Sequence, residues 1–150
     1  MVIRPAQSSE IERLTELSKE AFDSDIYVGN DGIGGPPDYD NKYWHKKMAQ
    51  EKHLYSVYSK DELIGGAVLF NDDSSPQAMV VGRIFVDPQL HHSGFGMQMM
   101  RMIEAMFPNI KVWKLDTPIW NVRTNNFYKK LGYVEMARDN EFVYYQKEKR

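Results

Sequence analysis

The sequence predicts a mixed α/β fold forming one domain over residues 1–150, its sheet antiparallel in the first half and flanked by helices. Three observations predict it. A capped amphipathic helix near the N-terminus leads, through a loop and a second helix, into a hairpin of two strand-like runs. A strand-like run from Ala78 to Val86 then turns through Pro88 and two glycines into a helix-like run ending at Phe107. A second strand and helix, Val112 to Thr117 and about Val122 to Gly132, repeat that order before a closing strand pair.

Taken in order, Val2 to Ala6 makes a short first strand. Ser9 and Glu12 form a capping box, with Ile11, Leu14, Leu17, Ser18, Ala21 and Phe22 at helical spacing. From Val28 to Asp40 the chain is rich in Gly, Asp and Pro, with Gly34-Gly35-Pro36-Pro37 at its centre, and reads as a loop. Asn41 to Lys52 reads as a second helix with Trp44, Met48 and the stem of Lys47 inward. Leu54 to Ser59 and Leu63 to Phe70 form a hairpin across Lys60-Asp61-Glu62. Gly82, inside the next strand, marks either a bulge or room for a core side chain. The helix after it shows Phe95, Met99, Met102, Ile103 and Met106 on one face, its methionines reading as adaptable core filler. Pro108-Asn109 ends that helix, and Gly132 suits the left-handed position after the following one. Tyr133 to Ala137 pairs with Phe142 to Tyr145, and the polar tail from Gln146 to Arg150 is expected to fray.

Composition narrows the function. Hydrophobic content of 42% and charged content of 27% suit a globular domain, and a net charge of -2 argues against nucleic acid or an anionic membrane as partner. No apolar run approaches membrane-spanning length and the N-terminus lacks a signal-peptide core, so the expected location is cytoplasmic. The chain has no cysteine, which excludes disulfides, thiolate metal sites and a cysteine acyl-enzyme. His91-His92 does not read as a metal pair, because adjacent residues in a turn rarely converge on one ion. His45 and His53 read as surface or half-buried residues.

The turn after the strand at 78–86 is the chemical centre. Pro88 stops the strand, since proline gives no amide hydrogen to a ladder. Gly94 and Gly96 then let the backbone turn and expose its amides where a helix begins, a place suited to phosphate. A Walker loop would need Lys here, and a dinucleotide fingerprint would need a small residue where Met99 stands. A bare Gly-x-Gly also marks an ordinary strand-to-helix turn.

The second block is Asn121-Val122-Arg123-Thr124-Asn125-Asn126-Phe127-Tyr128-Lys129-Lys130-Leu131-Gly132-Tyr133. Together the two blocks, across roughly residues 78 to 138, resemble the GNAT superfamily of N-acetyltransferases. Spacing agrees at Val86, Pro88, Gly94 and Gly96, then at Asn121, Phe127, Tyr128, Gly132 and Tyr133. His91 stands where Gln or Arg is usual and Thr124 where Ala is usual. The resemblance implies a GNAT fold, with splayed parallel strands in a mixed sheet and acetyl-CoA in the opening. It implies direct acetyl transfer to a primary amine, and homodimers are frequent in the family. By the same resemblance His91, His92, Ser93, Gly94, Phe95 and Gly96 hold the pyrophosphate, chiefly by backbone amides. Phe85 and Val86 pair with the pantetheine arm, Asn121 contacts that arm, and Tyr128 faces the sulfur as general acid.

From the residues themselves, Tyr128 reads either as that acid or as a core aromatic beside Phe127 and Leu131, and Asn121 as helix N-cap. The imidazole of His91 would matter to a nearby phosphate as pH passes its pKa. The general base stays open. The strand at 78–86 carries Arg83 and no carboxylate, leaving Asp38, Asp40, Asp116 or a water chain. No Lys or Arg lies between Lys19 and Lys42, while six acids do: Glu20, Asp23, Asp25, Asp31, Asp38 and Asp40. This span, bordered by Tyr27, Tyr39, Tyr43 and Trp44, is expected to attract a cationic amine, with Asp38, Tyr39 and Asp40 as acceptor contacts and Arg83 for an acceptor carboxylate. Acylation of a protein amine, or an acyl-CoA-binding module without catalysis, are the alternatives.

Overall fold

A computed structural model describes residues 1–149. The chain forms strand β1 (Val2–Pro5), helices α1 (Ile11–Asp23) and α2 (Lys42–Gln50), and strands β2 (Leu54–Ser59), β3 (Glu62–Asn71) and β4 (Ala78–Val86). Helix α3 (Phe95–Met106), strand β5 (Val112–Pro118), helix α4 (Val122–Lys130) and strands β6 (Val134–Arg138) and β7 (Phe142–Glu148) follow. The element order is the expected one. The seven strands make a single sheet in the order β1-β2-β3-β4-β5-β7-β6.

Neighbouring strands pair antiparallel except β4 and β5, which run parallel. That parallel ladder is short: Ala78, Met79 and Val80 pair with Val112, Trp113 and Lys114, and there it stops. Beyond Val80 the two strands diverge, while β4 stays paired to β3 as far as Val86 opposite Gly65. The sheet therefore opens along the second half of β4.

Gly82 is the extra residue of a β-bulge, because Val68 pairs with Arg83 and Leu69 with Val81. Both expectations for it hold, since a Cβ there would lie 2.6 Å from the Phe70 ring. The bulge also changes which face the strand shows. Val81 packs with Met100, Ile103 and Trp113 beneath α3 and α4, whereas Phe85, four residues on, packs with Leu14, Leu17 and Met48 under α1 and α2. Lys60 and Asp61, at φ 50° and 64°, make a tight left-handed turn in the β2–β3 hairpin, matching the twist of its strands.

Several local expectations are corrected. Entry to α1 is not set by Ser9 and Glu12. A 3₁₀ turn, Ser8–Glu10, leads in, and the Glu10 carboxylate accepts from the Gln7 amide at 2.8 Å. Glu10 is buried, also accepting from Ser56 and Tyr58, so a tertiary anchor outweighs the local box. Lys47 is exposed, and His45, expected near the surface, is fully buried with Nδ1 2.8 Å from the Asn41 carbonyl. The buried face of α3 is Met99, Met100, Ile103 and Glu104, rotated from the predicted one, with Phe95, Met102 and Met106 half-buried. Glu104 turns inward because Lys147 and the Tyr133 hydroxyl meet it at 3.0 and 3.1 Å. The tail does not fray from Gln146, since β7 pairs with β5 out to Glu148. Arg150 lies outside the described residues. No helix among those residues is long and apolar enough to cross a membrane.

Candidate active site

Where β4 and β5 part, a cleft of about 970 Å³ opens. Arg83 to Val86 of β4 form one wall, Asp116 to Pro118 of β5 and the first turns of α4 form the other, and Gly34 to Pro37 also line it.

The turn after β4 is built residue by residue. The Asp87 carboxylate accepts from the Gln89 amide at 3.0 Å, capping a 3₁₀ turn at Pro88–Leu90. His92 and Gly94 then take left-handed conformations, φ 69° and 81°, and α3 begins. Its first backbone bond runs from the Gln98 amide to the Gly94 carbonyl at 3.1 Å. The amides of Phe95, Gly96 and Met97 consequently leave the helix end with no acceptor among the described residues. A Cβ on Gly94 would meet nothing within 4 Å, and Gly94, Phe95 and Gly96 line the cleft. Free amides, the positive end of a helix dipole and open space together suit a phosphate ester.

The structure brings most of the sequence-predicted residues to this cleft. Phe85, Val86, His91 and His92 line it, as do Gly94, Phe95 and Gly96. Asn121 and Tyr128 face them from α4, and Arg83 lies further along β4. Ser93 is not on the wall and is exposed, its amide turned to the Leu90 carbonyl. Asp38, Tyr39 and Asp40 are not on the wall either. The Asp38 carboxylate accepts from Asn41, and Tyr39 donates to Asp23 at 2.7 Å, so these side chains hold the loop. Asp40 is exposed.

Tyr128 is buried, its ring packed edge-on against Phe127 at 5.1 Å and Tyr133 at 5.9 Å. Its hydroxyl takes no hydrogen bond among the described residues. Burial, reinforced by Asp116, pushes the phenol well above its ordinary range, so it remains a proton donor at neutral pH. Asn121 caps α4, its side-chain oxygen accepting from the Thr124 amide at 3.0 Å. Thr124, in place of the usual Ala, meets the Thr117 hydroxyl at 2.6 Å and ties α4 to β5.

His91 points away from the role expected of it. One ring nitrogen, Nε2, lies 3.1 Å from the Val86 carbonyl, and Nδ1 lies 3.2 Å from Arg123 Nη1. That geometry requires Nε2–H to donate and Nδ1 to accept. Burial, then Arg123, lowers the imidazole pKa, and the ring is neutral at pH 7. Arg123 continues the chain through Nη2 to Asp25 Oδ1 at 2.8 Å. Asp25 is 8% exposed, and burial outweighs the attraction of Arg123 and pushes its carboxyl up to about 6. Arg83 stacks 4.0 Å above the Trp44 ring and donates through Nη2 to the Pro37 carbonyl. Its Nη1 is buried with no partner.

Asp25 and Arg123 are the site residues that sequence reasoning missed. Asp25 stands out only as one acid among six, and Arg123 only as a variable position of the second block. The two are 98 residues apart, and no local spacing rule joins them.

Comparison with known proteins follows the geometry. The profile of the Acetyltransferase (GNAT) family matches residues 11–133. The Bacillus subtilis (strain 168) protein YrkN, described as uncharacterized, is 26% identical over 130 residues, spanning 85% of this chain and 69% of its own. A PaiA N-acetyltransferase from Thermoplasma acidophilum, crystallised with coenzyme A, superposes with a TM-score of 0.82 at 18% identity, over 99% of this chain and 98% of that one. A GNAT-family acetyltransferase from Streptococcus agalactiae 2603 gives a TM-score of 0.85 at 19% identity, over 99% and 95%. These two likenesses show a shared fold.

Proposed function

Because the chain belongs to the GNAT family of acetyltransferases, with acetyl-CoA as co-substrate, we propose that it transfers acetyl directly to the primary amine of a small, amino-acid-like acceptor. One observation carries the acceptor reading. The cleft that holds the anion-binding turn also holds Arg83, a half-buried guanidinium with no carboxylate in salt-bridge contact among the described residues. A carboxylate on the acceptor meets it there, the guanidinium being held over Trp44 and by the Pro37 carbonyl. Asp25, on the same cleft, complements the ammonium group.

In this reading the amides of Phe95, Gly96 and Met97 receive the pyrophosphate of acetyl-CoA. The edge of β4 at Phe85 and Val86, left without a β5 partner, pairs with the pantetheine arm, and Asn121 lies beside it. His92 and Gly94 shape the turn. The cleft fits such a ligand in volume as well as chemistry. Acetyl-CoA supplies the activated acyl thioester. Tyr128, protonated and without a protein partner, gives its proton to the departing sulfur. A cysteine acyl-enzyme is ruled out, and in this reading the acetyl group passes straight to nitrogen within one ternary complex.

The test is a thiol-release screen of acetyl-CoA against a panel of amines with and without an α-carboxylate. The cysteine-free chain adds no background to a thiol reagent. Preferential turnover of amino-acid-like amines supports the reading. Turnover confined to amines lacking a carboxylate overturns the Arg83 assignment, and binding of CoA with no thiol released by any amine overturns the enzyme.

A further inference from the structure

Strand β4 carries no carboxylate, yet the cleft it borders contains a buried one. Asp25 sits in the 3₁₀ turn Ser24–Val28 that follows α1, on the cleft wall, with 8% of its surface exposed. Only Oδ1 is used, accepting from Arg123 Nη2 at 2.8 Å. No group among the described residues donates to Oδ2, and that oxygen is not sealed from solvent either. Resting on the acetyltransferase reading above, we infer that Asp25 is the base that deprotonates the acceptor ammonium, with Oδ2 as the accepting atom.

The surroundings are arranged for that task. Arg123, from α4, is the charged side chain facing Asp25, and it fixes the carboxylate through one oxygen. Behind Arg123 stands His91, which accepts from it and donates to the Val86 carbonyl at the end of β4. The carboxylate is thereby tied to the strand edge along which the thioester must lie. Asp23, two residues earlier, is turned away to Lys19 and Tyr39. The Asn30 amide meets the Asp25 backbone carbonyl at 3.2 Å, holding the turn. Among the alternatives, Asp38 and Asp40 are not on the cleft wall, and Asp116, on the wall and also raised by burial, is an exposed residue that no cation fixes among the described residues. A carboxyl raised to about 6 is also better matched to an ammonium proton than an ordinary one.

The protons balance. The ammonium nitrogen loses one proton to Asp25 Oδ2 before the N–C bond forms, and Asp25 returns that proton to solvent. As the C–S bond breaks, Tyr128 protonates the sulfur, and the second proton from nitrogen restores the Tyr128 hydroxyl.

Asp25→Asn tests the inference, because the amide oxygen can keep the Arg123 hydrogen bond while the base is lost. The readouts are CoA affinity by calorimetry and the pH profile of kcat/KM for the best amine of the screen. The wild-type profile should rise with pH through about 6, and the variant should lose that limb. Its kcat/KM should fall about 10²- to 10³-fold at pH 7.5, within the usual range for a proton-transfer residue. CoA affinity should change less than threefold, and Asp25→Glu should recover part of the rate with a limb restored. An Asn variant that keeps both the rate and the limb overturns the inference. So does one that loses CoA binding in parallel, since Asp25 would then only brace the cofactor turn. A wild-type protein that binds CoA but acetylates no amine overturns the reading on which this one rests.

Discussion

Replacing Gly94 separates the conformational demand of the turn from its chemical one. Gly94 has φ 81°, in the left-handed region, and a Cβ there meets nothing within 4 Å. Gly94→Ala therefore pays no steric clash, only the left-handed penalty of about 1–2 kcal/mol, partly offset because alanine restricts the unfolded chain by about 0.4–1 kcal/mol. A net loss near 1 kcal/mol lowers Tm by about 2–4 °C for a chain of this size. Gly94→Asn, which tolerates this conformation, should melt closer to wild type. Both variants add a Cβ at the residue that leads into the amides of Phe95 to Met97. Losing one charge-assisted hydrogen bond to phosphate, worth about 1.5–3 kcal/mol, weakens CoA binding by about 10- to 150-fold. Gly132→Ala is the control: φ is 95°, its Cβ would lie 3.6 Å from Lys147 Cε, and it is not on the cleft wall. It should lower Tm comparably and leave CoA binding alone. Calorimetry supplies both numbers. A folded Gly94→Asn protein that binds CoA within twofold of wild type would refute the placement of the phosphates.

Tyr128→Phe keeps the packing on Phe127 and Tyr133 and should lower kcat about 10- to 100-fold with little change in CoA affinity; an unchanged kcat with chemistry rate-limiting returns Tyr128 to a packing role. Arg83→Gln should raise KM for a carboxylate-bearing amine about tenfold or more and leave a carboxylate-free amine unaffected, whereas equal effects on both would point to the loop that Arg83 holds at Pro37. His45 and His91 both have lowered pKa values, burial being the first cause, so below about pH 6.5 the unfolded chain binds protons that the folded one resists. Their contribution is thus complete above that pH and lost as pH falls through it, with Asp25, raised to about 6, acting in the opposite sense. His45→Gln should lose less stability than wild type between pH 7.5 and 5.5, and identical losses in paired melts would remove His45 from the account.

The element order and the turn between β4 and α3 were legible because each signal is local. A strand, a proline, two glycines and a helix fall within residues 78 to 107, and Asn121 to Gly132 form one helix with its cap and its end. The pairing of Asp25 with Arg123 was not legible, because it is made by residues far apart in the chain. Counting acids between Lys19 and Lys42 locates negative charge but not its direction. Asp23 is spent on Lys19 and Tyr39, and Asp38 on Asn41. Asp25 alone of these reaches Arg123. The same limit explains Glu10 and Glu104, charged residues that distant partners draw inside.

The bulge at Gly82 shows how one residue can decide which chemistry a cleft receives. In an unbroken strand, side chains alternate, so Arg83 and Phe85 would share the face of Val81, beneath α3 and α4. The extra residue shifts the alternation. Phe85 packs under α1 and α2, and Arg83 stacks on Trp44 of α2. Without the shift the guanidinium would be directed into the apolar cluster around Met100 and Trp113, where a charge has no partner and a high cost. With it, Arg83 lines the cleft between β4 and β5 instead. A Cβ at position 82 would press on Phe70 at 2.6 Å and on the Val68 carbonyl at 3.2 Å, so the bulge needs glycine in this packing. The strand that gives up its ladder to β5 to make room for a ligand is thus the same strand whose bulge turns Arg83 toward it.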